Sequence, residues 1–318
     1  MTINNTKIEH FCTLFDSSFL PIGMTLHSSL MLQAQPFHLW IICMDKKVED
    51  QLKLINLSSV TLIPLQEVET PELLAIKDSR SKGEYCWTIT PFTFTAVFTR
   101  QPGIEQVTYL DADLFFFDNP RCLLQELEEN KRSILITEHA YDPQYDQTLS
   151  SGRFCVQFLT AKNNCRGLNV IQWWQHKCLD WCFNRLENGK FGDQKYLDVW
   201  PILFPEDLWI VQQKERTLAP WNIRFFENIL GKDIKPVFYH FHSLRILNPN
   251  KLLLCVNYLI GQQGLELYKI YTQYLNENLN VLKSNNLSIP CIDYLKGWSW
   301  KRIIKFRFQK KIYFQSID

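Results

Sequence analysis

Short apolar runs alternate with longer amphipathic segments along most of the chain. The runs are rich in β-branched and aromatic residues, and such runs between polar turns predict buried strands. The predicted strands are residues 9–15, 37–44, 60–65, 107–113, 133–138 and 153–160. Because helical segments separate them, we expect an α/β fold with a mixed, mostly parallel sheet flanked by helices. Binding sites of such sheets lie at the carboxyl ends of the strands.

Helices are predicted between and after these strands. A polar helix is expected over residues 45–56, and Pro91 is expected in the first turn of another helix. Apolar positions recur at three- and four-residue spacing over residues 166–189, which predicts one continuous helix. Residues 246–285 also have a helical pattern, so the C-terminal part is expected to be a helical appendage.

Residues 106–118 read QVTYLDADLFFFD, an apolar run that leads into two carboxylates. If the strand continues through this point, Asp111 and Asp113 project to one side and Ala112 to the other. Two carboxylates in a low-dielectric pocket repel each other, and one of them is driven toward protonation. A divalent cation allows both to stay ionised. The pattern therefore predicts a metal site at Asp111 and Asp113.

A second pair of candidate ligands lies in PVFYHFHSLRI, residues 236–246. His240 and His242 share one face of an extended segment, and either could complete an Asp/Asp/His site. Mixed carboxylate and imidazole ligation suits Mn²⁺, whereas Mg²⁺ accepts the oxygens more readily than the imidazole. We expect Mn²⁺ (or Mg²⁺), with phosphate oxygens and water in the remaining positions.

The composition is that of a folded globular protein, since 46% of the residues are hydrophobic and 21% are charged. A chain of 318 residues can form one large α/β domain with an appendage. The formal net charge is +1, whereas nucleic-acid-binding domains are usually clearly basic. We therefore expect no nucleic-acid partner.

Ten cysteines are spread from Cys12 to Cys291 without the compact spacing of a disulfide framework. The N-terminal MTINNTKIEH lacks the features of a secretion signal, and no apolar run reaches the roughly 18 residues of a membrane span. The expectation is a cytoplasmic protein with free thiols. His176, Cys178 and Cys182 could contribute to a zinc site, but the amphipathic pattern around them favours a buried helix.

Four segments occur along the chain in a characteristic order. They are TLFDSSFLPIG (13–23), YLDADLFFF (109–117), KFGDQKYLDVWP (190–201) and HFH (240–242). The ordered set resembles bacterial nucleotide-diphospho-sugar transferases of the GT-A (Rossmann-like) fold and is similar to glycosyltransferase family 8. The resemblance covers roughly residues 8–245. It implies a GT-A domain at 1–245 and a helical C-terminal extension with a basic, aromatic tail at 246–318.

The resemblance implies a metal-dependent, hexosyltransferase-like enzyme of polysaccharide biosynthesis. Such an enzyme would transfer a sugar from a nucleoside-diphosphate donor, with UDP favoured, to a glycan, lipid-linked or protein acceptor with retention of configuration. The implied donor-binding positions are Thr13, Phe15, Asp16, Arg80, Asp111, Ala112, Asp113 and Arg245. Asp16 matches the contact to the nucleotide base, and Arg245 matches a basic residue that faces phosphate. Arg80 and Lys82 are further phosphate candidates.

The remaining roles implied by the resemblance concern the metal and the reaction. His240 matches the third protein ligand, and Asp193 and Gln194 match an Asp-Gln motif that lines the donor-sugar and acceptor pocket. In a retaining enzyme Gln194 would flank the reacting carbon, whereas an inverting enzyme needs a carboxylate base across the ring. The carboxylates available as a base are Asp193, Asp198, Glu206 and Asp207, so the stereochemical outcome stays open.

The chain departs from the family 8 pattern at two points. Phe154-Cys155-Val156-Gln157 stands where those proteins have an Asn-small-Gly turn, and no Lys-Pro-Trp follows the histidines. Two other functions also stay open. One is a haloacid-dehalogenase-like phosphotransferase, which has Asp-x-Asp after an apolar strand but near the start of the chain. The other is a nucleotide-sugar-binding protein without catalytic activity.

Residues 298–318 form a basic and aromatic tail. Its positive charges run from Lys301 to Lys310 and Lys311, with tryptophan, phenylalanine and tyrosine residues between them. Such a segment can lie on an anionic membrane surface or can dock on the domain as a soluble helix or strand. The membrane alternative predicts peripheral contact with the inner face of the plasma membrane and favours a lipid-linked acceptor.

Overall fold

The computed structural model describes residues 7–231, 234–292, 294–309 and 312–316. Lys310 and Lys311 of the predicted basic tail lie outside the described residues. The strands in chain order are β1 (Glu9–Phe15), β2 (Phe37–Cys43), β3 (Val60–Pro64), β4 (Gln106–Leu110), β5 (Leu114–Phe116), β6 (Ile134–Glu138), β7 (Phe154–Lys162), β8 (Leu208–Ile210), β9 (Thr217–Leu218), β10 (Phe238–His240), β11 (Arg245–Asn248), β12 (Lys251–Val256) and β13 (Ile312–Ser316). The helices are α1 (Leu20–Gln33), α2 (Lys46–Ile55), α3 (Pro71–Lys77), α4 (Lys82–Ile89), α5 (Phe92–Arg100), α6 (Arg121–Glu129), α7 (Thr148–Ser151), α8 (Cys165–Asp180), α9 (Trp200–Leu203), α10 (Ile223–Leu230), α11 (Gly261–Ser284) and α12 (Trp300–Phe308).

A mixed sheet forms the centre of the molecule. Within the described residues its strand order is β3-β2-β1-β4-β7-β6-β8. Strands β3, β2, β1 and β4 run parallel to one another, and β8 runs parallel to β6. Strand β7 is antiparallel to both of its neighbours, β4 and β6. The mostly parallel sheet that the sequence predicts is therefore confirmed.

The strand directions decide which residues meet at the carboxyl edge of the sheet. Asp16 follows β1 and Asp111 follows β4, so both lie where parallel strands end. Because β7 runs the other way, its first residues lie at this edge, and Leu110 at the end of β4 pairs with Phe158. The edge therefore collects residues that are far apart along the chain.

A small second sheet extends this edge and carries the predicted histidine ligand. Its strand order is β5-β10-β9, and β10 is antiparallel to β5. The register pairs His240 with Leu114, the residue that directly follows Asp113. This pairing brings two sequence motifs together that are separated by more than a hundred residues.

The core lies on both faces of the central sheet, because side chains alternate along each strand. On β1, Cys12 and Leu14 belong to one hydrophobic cluster, whereas Phe11 and Phe15 belong to the other. Helices cover both clusters, as expected for an α/β fold.

The C-terminal part packs against the helix that follows β1. Helix α11 lies along α1, and the Nδ2 of Asn278 donates hydrogen bonds to Thr25 Oγ1 (3.2 Å) and Ser28 Oγ (3.1 Å). Strands β11, β12 and β13 form a third sheet, in which β12 is the central strand. The described part of the predicted tail is thus a helix followed by a strand that pairs with β12.

Three secondary-structure predictions were wrong. Helix α8 ends at Asp180 and not near residue 189, because Trp181 turns to an extended conformation and is buried in the core. Residues 246–260 are not helical, since β11 and β12 form a hairpin around a turn in which Asn250 N–H donates to Asn248 Oδ1. The third concerns the acidic motif and is described with the site. No helix in the part of the chain that the structure describes is long and apolar enough to cross a membrane.

Candidate functional site

A cavity of about 700 Å³ opens at the carboxyl edge of the central sheet. The residues predicted from the sequence that line it are Phe15, Asp16, Asp111, Ala112, Asp113, Asp193, Gln194, His240, His242 and Arg245. Lys82, at the start of α4, also lies on the wall. The structure thus brings most of the predicted residues to one cavity.

Two predicted donor-binding residues do not line this cavity. Thr13 lies within β1 with no exposed surface, because the neighbouring strands and a helix cover it. Arg80 places its guanidinium 3.8 Å from the centre of the Phe183 ring and donates to the carbonyl oxygen of Leu179. Neither side chain therefore reaches the cavity wall, and the assignment of these two residues to the donor site stays a prediction.

The acidic motif is a turn and not the end of a strand. Strand β4 ends at Leu110, and the N–H of Leu114 donates to the carbonyl oxygen of Asp111 (3.1 Å), which closes the turn. The strand-alternation argument for Asp111 and Asp113 was therefore wrong. Both carboxylates nevertheless face His240, because β10 is held beside β5 by its backbone pairing.

His240 makes the central contacts of the site. Its Nε2 lies 3.0 Å from Asp113 Oδ1 and 3.8 Å from Asp111 Oδ2. Its Nδ1 lies 2.8 Å from the side-chain Oε1 of Gln157, which is completely buried on β7. The backbone holds the acidic residues in place, since Asp111 N–H donates to the Gln157 carbonyl oxygen and Phe241 N–H donates to that of Asp113.

Cys155 adds a thiol to this cluster. One ligand atom each from Asp111, Cys155 and His240 lies within 4.8 Å of the other two. Asp113 is not part of that closest group, although it has the shorter contact to His240. Carboxylate oxygens and an imidazole nitrogen are suitable ligands for Mn²⁺, and a thiol would add affinity for softer ions such as Zn²⁺. The donor set therefore fits a divalent cation.

The electrostatics of the cluster reflect burial and close charges. Burial raises the pKa of Asp111 to about 6, with Asp113 adding to the shift and His240 opposing it. Although burial alone would raise it, the charge and hydrogen bond of His240 hold the pKa of Asp113 well below its usual range. Burial would lower the pKa of His240, but the charge and hydrogen bond of Asp113 raise it well above its usual value. Asp113 and His240 therefore form an ion pair in the structure.

His242 has a different environment from His240. Its ring centre lies 5.7 Å from that of His240 and 5.6 Å from that of Trp221, and its side chain is exposed to the cavity. Trp221 in turn packs edge-on against His240 and donates its Nε1 hydrogen bond to the carbonyl oxygen of His139 (2.8 Å). Of the two histidines, His240 is thus the one that contacts the carboxylates.

Asp193 and Gln194 lie on the wall at the start of a 3₁₀ turn, Gln194–Val199. The Gln194 side chain donates to the carbonyl oxygen of Ser151 (2.8 Å), which fixes the orientation of its amide. Burial, with a smaller contribution from the charge of Asp111, raises the pKa of Asp193 to about 8. The Asp193 carboxyl group therefore holds a proton more strongly than an ordinary aspartate does.

The predicted zinc alternative around helix α8 has no support in the geometry. Cys178 and Cys182 are buried in a hydrophobic cluster, whereas His176 is exposed. The prediction of a buried amphipathic helix holds for this segment up to Asp180.

Sequence reasoning missed Cys155 and Gln157 as members of the site. Both lie in the segment that departs from the family 8 pattern, and both are buried on β7, where most of the neighbouring side chains are apolar. A glutamine inside a buried strand requires a partner, and this is the signal that could have identified it.

The fold matches solved glycosyltransferase structures. The structure of galactosyltransferase LgtC with donor and acceptor sugar analogs has a TM-score of 0.52 and 12% identity, and the match covers 84% of this chain and 95% of LgtC. The apo structure of glycosyltransferase GlyE from Streptococcus pneumoniae TIGR4 has a TM-score of 0.50 and 14% identity, and covers 88% of this chain and 64% of GlyE. The chain therefore has the GT-A fold, as its sequence predicted.

Sequence comparison shows which protein family the chain belongs to. No family model matches the chain. The uncharacterized protein YfnF of Bacillus subtilis (strain 168) is 30% identical over 254 residues, which cover 76% of this chain and 84% of YfnF. The uncharacterized protein YfnD of the same strain is 28% identical over 278 residues, which cover 84% of this chain and 87% of YfnD. The chain belongs to the family of YfnF.

Proposed function

We propose that this protein is a metal-dependent glycosyltransferase that uses a nucleoside-diphosphate sugar, with UDP as the favoured nucleotide. The observation that carries the proposal is the convergence of Asp111, Asp113 and His240 on one cavity at the carboxyl edge of a GT-A sheet. Ligands of α/β sheets bind at this edge, and the cavity is of a size that suits a nucleotide sugar.

The donor would lie across the strand ends. Phe15 at the end of β1 and Asp16 directly after it would contact the base, while Arg245 and Lys82 would face the diphosphate. Asp111, Asp113 and His240, with Cys155 close by, would hold a divalent cation. A cation in this position supplies Lewis-acid stabilisation of the departing diphosphate.

In the proposed reaction, the bond from the anomeric carbon to the phosphate oxygen breaks and a bond to an acceptor hydroxyl oxygen forms. We favour retention, because the wall offers no obvious carboxylate base among the residues weighed from the sequence. The pKa of Asp193 is raised by burial, so its protonated form is favoured and is suited to donate a hydrogen bond. Asp198 accepts from the N–H of Arg153 and from Lys195, and Glu206 and Asp207 pair with Arg132 and Arg166. The departing phosphate would then accept the hydroxyl proton.

Gln194 is the residue we place beside the reacting carbon. Its amide is oriented by Ser151 and lines the cavity. The active site of LgtC also contains a glutamine, since an active-site glutamine-to-glutamate mutant of that protein has been crystallised. This likeness supports the role of Gln194 without fixing the donor sugar.

The test is donor binding and hydrolysis by wild-type protein and matched variants. Thermal-shift screening of nucleotide sugars, with and without Mn²⁺, identifies the donor, and release of nucleoside diphosphate measures turnover. We expect Asp111→Asn to reduce turnover by at least about a hundredfold, since it removes a charged ligand of the cation that would stabilise the departing diphosphate. Asp118→Asn is the control, because Asp118 pairs with Arg216 outside the cavity wall.

Four outcomes would contradict the proposal. Metal-independent turnover, or equal turnover by Asp111→Asn and wild-type protein, would exclude the assigned site. Metal-dependent donor binding without any hydrolysis or transfer would support the non-catalytic alternative. Hydrolysis of simple phosphate esters would support the haloacid-dehalogenase-like alternative.

We also propose that α12 contacts an anionic membrane surface and brings a lipid-linked acceptor near the site. The helix carries Lys301, Arg302, Lys305 and Arg307, and Trp300 and Phe308 are 68% and 86% exposed. Exposed aromatic side chains next to basic ones are typical of interfacial helices. Such contact would be with the inner face of the plasma membrane in a cytoplasmic protein.

Vesicle flotation tests this membrane contact. Wild-type protein is expected to float with phosphatidylglycerol vesicles and not with neutral phosphatidylcholine vesicles. The double variant Trp300→Ala/Phe308→Ala is expected to lose most of this binding, whereas Leu149→Ala, which removes a side chain that is 90% exposed elsewhere, is expected to keep it. Equal flotation of the three proteins would show that α12 is not the contact.

A further inference from the structure

Gln157 contacts two of the candidate metal ligands at once. Its side-chain Oε1 lies 2.8 Å from Nδ1 of His240, and its backbone carbonyl oxygen accepts the N–H of Asp111 (3.0 Å). The residue is completely buried on β7, and it does not line the cavity. A single residue behind the cavity wall therefore holds the backbone of Asp111 and the imidazole of His240.

The contact to His240 determines which ring nitrogen carries a proton. An amide oxygen only accepts hydrogen bonds, so Nδ1 must be the protonated nitrogen. Nε2, which faces Asp111 and Asp113, is then the nitrogen with a lone pair available for a metal once it is deprotonated. The opposite tautomer would place two lone pairs against each other at Gln157.

The orientation of the Gln157 amide is itself fixed. Its Nε2 donates to Thr137 Oγ1 (3.4 Å), and that hydroxyl donates to the carbonyl oxygen of Cys155 (3.5 Å). All three residues are buried, so reversing the amide would place its oxygen against the Thr137 oxygen, whose proton is already donated to Cys155. The chain of contacts from β6 to β7 thus presents an oxygen, and not an NH₂ group, to His240.

We propose that Gln157 is a positioning residue that sets the tautomer and ring orientation of His240 for metal binding. The inference rests on the proposed function, because it concerns the metal site of the same cavity. Outer partners of a histidine ligand orient the ring and increase its basicity, and their loss typically weakens metal binding by about 10–100-fold. Gln157 has the geometry for this role, although it would not touch the metal.

Calorimetric titration of the full chain with Mn²⁺ alone, without donor, tests the proposal. Gln157→Leu, which keeps a buried side chain of similar size but removes the acceptor, is expected to bind Mn²⁺ about 10–100-fold more weakly. Gln157→Glu keeps an oxygen acceptor at the same place and is expected to retain most of the affinity. Gln175→Leu is the control, because Gln175 is also buried but contacts Pro91 and Thr95 away from the cavity wall.

A measurement on the wild-type protein keeps the proposal testable if Gln157→Leu does not fold. In the protein loaded with diamagnetic Zn²⁺, long-range ¹H–¹⁵N spectra report which nitrogen of His240 is protonated. We expect a proton on Nδ1 and the metal on Nε2. A metal on Nδ1 would overturn the proposal.

The outcomes separate this inference from the proposed function. If wild-type protein binds Mn²⁺ and folded Gln157→Leu binds it equally well, only the role of Gln157 fails. If Gln157→Glu loses as much affinity as Gln157→Leu, the acceptor is not what matters and the role also fails. If wild-type protein binds neither Mn²⁺ nor a nucleotide sugar, the proposed function fails and the role of Gln157 fails with it.

Discussion

At the scale of single residues, the candidate site depends on one imidazole that lies close to two carboxylates. His240 lies between Asp111 and Asp113, while His242, two residues further on, is exposed beside it and packs near Trp221. Strand alternation could not distinguish the two histidines, because it gives both the same face, and only the family resemblance favoured His240. The backbone pairing of β10 with β5 makes the distinction, since it ends at His240.

The two histidines are therefore expected to differ in metal binding. His240→Ala is expected to weaken Mn²⁺ binding in the presence of UDP by at least about tenfold, because it removes the nitrogen that faces both carboxylates. His242→Ala is expected to change the affinity much less and serves as the matched control. Calorimetric titration measures both, and the reverse order would show that the loop after β10 moves His242 into the site.

The thiol in the cluster predicts an effect on metal preference. Cys155 lies within 4.8 Å of ligand atoms of Asp111 and His240. Thiolates favour soft ions, so Cys155→Ser is expected to weaken Zn²⁺ binding by about tenfold or more and to leave Mn²⁺ binding nearly unchanged. Competition titrations with both ions measure the ratio. Cys178→Ser is the control, because Cys178 is a buried cysteine that does not line the cavity. If Cys155→Ser weakened the binding of Zn²⁺ and Mn²⁺ equally, the effect would come from packing and not from the thiol as a ligand.

At the scale of elements, the sequence predicted the positions of the strands better than it predicted their directions or the ends of the helices. The bounds of β1 agree with the prediction because a continuous apolar run between polar residues has a clear start and end. The antiparallel direction of β7 could not be predicted, since it depends on its pairing with β4 and β6 and not on its own residues. The end of α8 could not be predicted either. The helical spacing of apolar residues continues beyond Asp180, and it does not show that Trp181 leaves the helix to be buried.

The packing of α8 against the end of β7 predicts a strong effect of one added methyl group. A Cβ on Gly167, in the first turn of α8, would lie 2.3 Å from the backbone carbonyl oxygen of Lys162. Because that atom cannot rotate away, Gly167→Ala is expected to lower the free energy of unfolding by about 1–3 kcal/mol. Gly83→Ala, in the first turn of α4 with no atom within 4 Å of the added group, is the control and is expected to be neutral or stabilising. Urea unfolding of both variants checks the prediction, and equal stability would mean that α8 shifts without cost.

At the scale of the whole molecule, the site is assembled from segments that only the fold brings together. The ordered motifs predicted Asp16, Asp111, Asp113, Gln194 and His240, and all of these line one cavity. The motifs could not predict Cys155 and Gln157, because their contribution depends on the register of an antiparallel strand. Thr13 and Arg80 do not line this cavity, since proximity in sequence to a site residue does not determine where a side chain points.

A second property of the whole molecule is its response to acid, because several histidines are held in their neutral form. Burial is the main cause that lowers the pKa of His10, to about 4, and the charges of His38 and Lys7 add to the shift. Burial also lowers the pKa values of His27 and His38. Trp40 donates its Nε1 hydrogen bond to Nδ1 of His10 (3.3 Å), and this bond requires an unprotonated nitrogen.

The sign of the pH dependence follows from these shifts. Between the pKa of about 4 in the folded protein and the ordinary value of 6.5, His10 binds a proton in the unfolded chain but not in the folded one. The contribution of His10 to the free energy of unfolding is therefore fully present above pH 6.5, and it is lost as the pH falls toward 4. Because His10 is partly exposed, we expect its contribution to be roughly 1–2 kcal/mol and not the full value of the shift.

Urea unfolding between pH 7 and pH 4 in the wild-type protein and in His10→Asn measures this contribution. The asparagine oxygen can still accept the hydrogen bond from Trp40 but does not titrate, so the variant is expected to lose less stability over this range. His176→Asn, at an exposed position of α8, is expected to follow the wild-type curve. If His10→Asn shows the same slope as the wild-type protein, the acid sensitivity does not come from the histidine at the start of the sheet, and the packing of His10 against His38 and Trp40 tolerates a charge.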